Sequence, residues 1–536
     1  MAFEASPTAL WAILAILGCL LYRRLVREER RKLPPGPKPL PLLGNIRDFP
    51  PSGRPEYQHW LTHKNVYGGI SSVTAMGMTL VIVHDRDIAH ELLERNSAKS
   101  SERPEMVMAN KLCGYEAIVV CQSYGPTFRR YRKYLHQELG TALSSAQFRG
   151  VQEVEVGRQL VRTLEEPGRW LQHCKTTTAA TVLNMAYGYH VERHKPDPLV
   201  ALTEKMMSEF SLAAAPMAWA VDMIPALQHL PEGFPGTDFK KAARQWRKSI
   251  QASAHIPYRF VQRQMAANAH RSCYVSKLIQ QMEQEKRATP HGEDEEAVIW
   301  TAASLYGAAA DTTTITLTAF TLAMVKHSDV QRKAQAEIDR VIGTDRLPTF
   351  ADRENLPYTN ALVKEAQRWW PIAPMGFPHV ATDDIQVNSY HIPKGAYILP
   401  AVWWFLHDPE VYPDPESFDP ERFLPPRNEP DPGTEAFGYG RRRCPGRFFA
   451  DSGLYINIVQ SLAVLEFVKA KREGGSEVEV QAEMKPGILA YLEEFEFEIR
   501  PRTEKHARLI RGLKERDVYE GHGDAGLLES VEGFEE

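Results

Sequence analysis

A mainly α-helical fold with small β-sheets is what this 536-residue sequence predicts, and three observations carry it. Segments from Phe239 to Gln284, Ala297 to Val325 and Asp329 to Ile342 read as helices, the first and last with apolar residues at helical spacing. A proline suited to a first helical turn, Pro126, opens another helix, and an apolar run follows Cys444 as far as Val468. The strand signal is short: Ser71-Ser72-Val73-Thr74 and Thr79-Leu80-Val81-Ile82-Val83 flank Met76-Gly77-Met78, which reads as a β-hairpin within Ile70 to His84.

Composition bounds the function. Hydrophobic residues make up 43% and charged residues 25%, ordinary for a globular chain, and a formal net charge of -4 argues against a nucleic-acid partner. Six cysteines lie scattered with no C-x-x-C spacing, so neither a zinc site nor a disulfide framework is indicated, and a reducing compartment fits.

Thr8 to Tyr22 is almost wholly apolar and is followed by Arg23, Arg24, Arg27, Arg30, Arg31 and Lys32. A membrane span needs about 20 residues, and Leu25 and Val26 can extend this run while the arginines snorkel. A cleaved secretory signal is the rival, but it wants positive charge before its apolar core. Here Glu4 precedes and the basic cluster follows, so residues 1–32 read as a retained anchor with its basic flank, the rest of the chain being cytosolic. Leu33-Pro34-Pro35-Gly36-Pro37 is then a stiff extended connector.

Asp87 to Asn96 reads as a short amphipathic helix. In the helix from Pro126, Phe128 and Arg132 share a face at i, i+4 spacing. Ser211 to Pro225 is apolar and broken by proline, and Ala288 to Glu296 is a polar connector. Ala297 to Val325 contains no lysine or arginine and resembles a second span, but Asp311, flanked by Thr312, Thr313 and Thr314, sits at its centre. A mid-bilayer aspartate costs about 2.5–3.5 kcal/mol, so a buried core helix fits better.

The densest chemistry lies at Phe437-Gly438-Tyr439-Gly440-Arg441-Arg442-Arg443-Cys444-Pro445-Gly446-Arg447. Glycines let the backbone wrap closely, and a helix starting just past Cys444 would favour a thiolate through its free N–H groups. Such a thiolate is a nucleophile or a metal ligand. Cys19, Cys113, Cys121, Cys174 and Cys273 read instead as inert cysteines.

The spacing Phe437-x-x-Gly440-x-Arg442-x-Cys444-x-Gly446 resembles the signature of the cytochrome P450 monooxygenases. Further matches run in that family's order from Leu33 to Arg502: Ala308-Ala309-Ala310-Asp311-Thr312-Thr313, Glu365-x-x-Arg368, Trp370 to His379, and Pro420-Glu421-Arg422-Phe423. The resemblance implies one haem-enclosing domain, residues 33–502, mainly α with small β-sheets, and a charged solvated tail over 503–536. It makes Cys444 the axial ligand of haem b iron, with Gly440 and Gly446 letting the loop approach the porphyrin and Phe437 beneath it. Arg442, Arg132 and His379 are then expected at the haem propionates, Thr312 and Asp311 at oxygen and proton handling, and Glu365, Arg368 and Arg422 in a buried charge network. Ile372 to Gly376 and Lys485 to Ala490 match substrate-facing segments, as does Ser100 to Cys121. Ser211 to Pro225 matches a channel lid, with ordinary core packing as the alternative.

The chain departs from the pattern twice, with Phe128 where tryptophan is usual and Ala309 where glycine is usual. The resemblance further implies a monooxygenase acting on an apolar small molecule with O2. Its electrons would come from an NADPH-cytochrome P450 reductase, with cytochrome b5 as an additional donor, since no Gly-rich dinucleotide motif is present. Arg129, Arg130 and Lys133 are either a docking face for that donor or a solvated surface. The likeness is greatest to fungal membrane-bound members of secondary metabolism, which implies an endoplasmic reticulum anchor, a cytosolic catalytic domain and a terpenoid or polyketide substrate. A haem-thiolate isomerase or dehydratase and a haem sensor are the alternatives. The Asp311-Thr312 pair, a proton relay, argues against both.

Overall fold

The computed structural model describes residues 33–515 and 523–531, apart from positions 42, 52, 76, 193–195, 216, 217, 287–289 and 473. The anchor expected over Thr8 to Tyr22 lies outside the described residues. The principal helices are α1 (Glu56–Tyr67), α2 (Pro126–Leu139), α3 (Arg149–Glu165), α4 (Trp170–Tyr187), α5 (Pro198–Ala213), α6 (Phe239–Ala266), α7 (Tyr274–Lys286), α8 (Glu293–Lys326), α9 (Ser328–Val341), α10 (Pro357–Trp369), α11 (Arg447–Val464) and α12 (Glu504–Glu515). The strands are β1 (Ile70–Ala75), β2 (Met78–Val83), β3 (His379–Val380), β4 (Ile385–Val387), β5 (Tyr390–Ile392), β6 (Tyr397–Pro400), β7 (Leu465–Lys469) and β8 (Phe497–Pro501).

The expected hairpin is present, with β1 and β2 antiparallel from Ile70 opposite Val83 to Ala75 opposite Met78. It grows into a four-stranded sheet of order β1-β2-β6-β3, in which β6 runs parallel to β2. Two two-stranded sheets, β4-β5 and β7-β8, complete the strands.

Helix α8 runs through the middle, packed on α2, α4, α6, α7, α10 and α11. It is long and apolar enough to cross a membrane, yet it serves as the core helix that Asp311 argued for. Its first half, Ala297 to Tyr306, belongs to one apolar core with Tyr187, Phe260 and Tyr274. Its second half, Leu317 to Val325, belongs to another with Trp170, Leu462 and Phe467. Ala308 to Thr313 lie between the two cores, and none of these six residues is buried.

Four element readings differ from the structure. The apolar run after Cys444 leaves the helix at Val464 and continues as β7, paired with β8. Phe239 to Gln284 is two helices, interrupted near Asn268, whose φ of 53° no helix tolerates. Asp87 to Asn96 is a helix over Arg86–His90 that widens into a π turn over Glu91–Arg95. Residues 504–515, expected to be solvated tail, form α12, which buries Ala507 and Ile510 against α3. High charge conceals that one apolar face. The end of the chain also docks. The Asp524 carboxylate accepts from the His190 N–H at 2.8 Å and from Arg271 Nη1 at 2.6 Å, and Leu528 and Val531 are buried beside it.

From the last turn of α5 onward, Leu212, Ile224 and Phe234 are each more than half exposed, whereas Ala213, Ala214 and Val221 are buried in the first core, so this region is part surface and part core packing. A surface of this kind suits a bilayer or a lid.

Burial holds several histidines neutral. It pushes His63 down to about 4, and His84 and His407 down to about 3. A depressed folded-state pKa contributes stability above the unfolded value near 6.5, and that stability is lost as pH falls toward the folded one. At pH 5 His84 alone withholds about 2 kcal/mol, from 1.36 kcal/mol per pH unit over about 1.5 units. Thermal unfolding followed from pH 7 to pH 5 is therefore expected to show a falling melting temperature. The fall should be shallower in His84→Phe.

Candidate active site

The cysteine loop is built from behind. The buried Glu435 carboxylate accepts from the Tyr439 hydroxyl at 2.6 Å and from His90 Nε2 at 3.0 Å. The Cys444 N–H donates to the Phe437 carbonyl at 2.8 Å and closes the loop. Gly438 and Gly440 have φ of 74° and 49°, the left-handed region that favours glycine. At Gly440 a Cβ would also come 2.4 Å from the Leu93 carbonyl oxygen. Close approach of the Glu91–Arg95 turn thus requires glycine at this position, together with its left-handed φ. Gly446, with φ of -85°, is the N-cap of α11, and a Cβ there would stand 3.9 Å from Cys444 Sγ. Burial raises the Cys444 thiol pKa, opposed by the Gly446 N–H and by the Arg132 and Arg447 charges.

Three guanidiniums surround this loop. Arg132, one helical turn past Phe128 on α2, donates from Nη2 to the Arg443 carbonyl at 2.7 Å. Arg442 donates to the carbonyls of Ser101 at 2.8 Å and Gln122 at 2.6 Å, and its guanidinium lies 3.9 Å from the centre of the Phe128 ring. Phe128 thus keeps the stacking role of an aromatic while offering no N–H. The third, Arg103, was not singled out in the sequence, although its segment was. It donates to the carbonyls of Val120 at 3.0 Å, Phe377 at 3.0 Å and Pro378 at 2.6 Å. Among the described residues no carboxylate lies within ion-pair distance of any of the three. Burial first, and Arg103 next, push Arg442 down to about 9; burial pushes Arg103 down to about 10 and lowers Arg132.

His379, on β3, lies close to the Arg103 and Arg442 charges. It is buried, its Nδ1 pairs with the Ser100 carbonyl at 2.7 Å, and burial with the Arg103 charge holds its pKa well below the usual value. With Nδ1 donating to that carbonyl, the neutral ring presents Nε2 as an acceptor.

Across α8, the Thr312 hydroxyl donates to the Ala308 carbonyl at 2.8 Å, and Thr314 and Thr318 do the same to the carbonyls four residues back. The helix stays continuous, so no bulge opens at Thr312, whose lone pairs remain free to accept. The Asp311 carboxylate accepts from the Tyr491 hydroxyl at 2.8 Å, a partner that its neighbours in sequence do not reveal. The half-buried donor set of Arg103, Arg132 and Arg442 fits a flat dianion held by guanidiniums beside a sulfur ligand, as in haem b.

The expected charge network is present. Glu365 receives Arg368 Nε at 2.7 Å and Nη2 at 2.9 Å, Arg422 Nε at 3.0 Å and the Asp419 N–H at 2.8 Å. All three side chains are wholly buried. Removing one partner of such a set costs about 3–5 kcal/mol. Glu365→Ala is expected to lower the melting temperature by several degrees and to lose haem on purification, read by calorimetry and by absorbance of the purified protein.

The family model for cytochrome P450 matches residues 34–474. The chain is 45% identical over 525 residues to the multifunctional cytochrome P450 monooxygenase af510 of Aspergillus fumigatus, covering 97% of this chain and 98% of that one. It is 45% identical over 520 residues to the cytochrome P450 monooxygenase CLM2 of Gibberella zeae, covering 96% and 98%. To the O-methylsterigmatocystin oxidoreductase of Aspergillus flavus it is 34% identical over 505 residues, covering 93% and 94%. A half-buried cysteine at a helix start, three guanidiniums without carboxylates and a buried glutamate between two arginines agree with these likenesses, and the chain belongs to the cytochrome P450 family of haem-thiolate monooxygenases.

Proposed function

We propose that this monooxygenase inserts one oxygen atom from O2 into an apolar small molecule of fungal secondary metabolism, a terpenoid or polyketide intermediate. Electrons come from an NADPH-cytochrome P450 reductase, with cytochrome b5 as an additional donor. Residues 1–32 anchor the enzyme in the endoplasmic reticulum membrane, with the catalytic domain, 33–502, facing the cytosol. The apolar surface at Leu212, Ile224 and Phe234 supports a bilayer close to the lid. Two fungal relatives named cytochrome P450 monooxygenases and a third named O-methylsterigmatocystin oxidoreductase support the reaction class and an organic small-molecule substrate.

The observation that carries the reading is the Cys444 loop between three guanidiniums that lack carboxylate partners. Cys444 Sγ would bind the haem iron, and Arg103, Arg132 and Arg442 would hold the propionates, whose charge would offset the guanidiniums. Bound haem supplies the activation of O2, with the thiolate favouring O–O cleavage. The protein's part is to position and to move protons. Ala308, Ala309 and Ala310 keep this stretch of α8 free of bulk, the Ala309 methyl taking space that glycine would leave. Thr312 Oγ accepts a hydrogen bond there, since its own proton is engaged with Ala308. Asp311 takes up and releases the protons that the reaction consumes, worth about 10²–10⁴ in rate for a positioned acid or base.

Cells producing the chain and fed candidate terpenoids and polyketides are expected to yield a product heavier by one oxygen atom, detected by mass spectrometry. Reduced protein exposed to carbon monoxide is expected to give the red-shifted absorbance band of a thiolate-ligated haem. Cys444→Ser should lose both the product and the band, and a variant that kept the band would end the reading.

A further inference from the structure

Tyr491 sits 180 residues from Asp311 in sequence, yet its hydroxyl donates to Asp311 Oδ2 at 2.8 Å. Its turn is fastened on both sides. The Lys485 N–H donates to the Tyr491 carbonyl at 2.7 Å, the Ala490 N–H donates to the Ile372 carbonyl at 2.8 Å, and Trp370 Nε1 donates to the Ala490 carbonyl at 2.7 Å. These bonds tie the tyrosine to the segment after α10 and leave the phenol little freedom.

Asp311 also lines a small cavity between α4, α5 and α8, together with Tyr306, Thr203, Glu204 and Lys175. About 10 Å³ of it is open to the centre of a water molecule, room for about one. Glu204 and Lys175 are partly exposed and paired at 3.3 Å on the same wall, so the cavity borders solvent. The carboxylate therefore has a phenol on one oxygen and a water-sized space within reach.

A phenol is a particular choice of partner. A lysine or arginine would hold the carboxylate ionised and oppose proton uptake. A neutral hydroxyl orients it while favouring the ionised form less than a full positive charge would. Burial, and then the Asp311 charge, raise the Tyr491 pKa, so the phenol keeps its own proton.

We propose that Tyr491 is the positioning residue of Asp311, holding its carboxylate between the water-sized cavity and the open notch of α8. A proton taken up by Asp311 from the cavity side is released toward the notch, and the carboxylate is regenerated. Tyr491 neither gains nor loses a proton. The inference rests on the reading of Asp311 as the proton-handling group.

The test compares full-length Tyr491→Phe, Asp311→Asn and the double variant, all haem-loaded. Carbon monoxide bound to the reduced protein is the probe, and its infrared C–O stretch reports the polarity of the notch. Tyr491→Phe is expected to shift or split that band, and the double variant to match Asp311→Asn with no further change. Product in the feeding assay should fall on the order of tenfold in Tyr491→Phe, part of what a positioned acid or base supplies. An unshifted band in Tyr491→Phe, or a further shift when it is added to Asp311→Asn, overturns the positioning role. Wild-type product from Asp311→Asn would overturn the underlying reading and the inference with it. An impaired Asp311→Asn beside an uncoupled Tyr491→Phe overturns the inference alone.

Discussion

Glu365 is sealed from water between Arg368 and Arg422, and the route of the chain into the cysteine loop depends on that contact. Arg368 lies on α10, while Arg422 belongs to the segment that leads to Cys444 some twenty residues later. Arg422 also reaches Glu429 at 2.8 Å and the carbonyls of Pro413, Asp414 and Ser417, so one guanidinium gathers the whole connector. A charge this deeply buried is tolerable only with every donor and acceptor matched. The geometry of the connector is therefore specified more tightly than apolar packing alone would specify it.

The surroundings of Cys444 have the opposite balance. Arg103, Arg132 and Arg442 are desolvated against carbonyl oxygens, with no carboxylate among the described residues to neutralise them. Carbonyl dipoles satisfy the N–H groups but leave the net charge. A bound dianion would relieve that electrostatic cost, so haem binding would also stabilise the chain. Glu365 balances charge to make the scaffold rigid, while the arginines are left unbalanced to make it receptive.

Helix α8 joins two apolar cores and is open where they part. Small side chains and hydroxyls at Ala308 to Thr313 suit that gap, because bulk would close it and a longer polar chain would fill it. The Thr312 hydroxyl bonds back into the helix, so the notch forms without a break in the backbone.

Much of this was legible from residue order. Glycine placement and basic spacing mark the Cys444 loop, the aspartate within an apolar run marks α8 as internal, and two β-branched runs around Met76-Gly77-Met78 mark the β1–β2 hairpin. Each signal is local, arising from residues a few positions apart. Arg103, the Tyr491 partner of Asp311, the apolar face of α12 and the docking of Asp524 on Arg271 were not legible. In each of these the partners are brought together by packing of distant elements, and pattern along the chain carries no record of that distance. Residue order determined the family chemistry and the elements that bear it; only tertiary packing decided which charges stay unpaired and which side chain orients the acid.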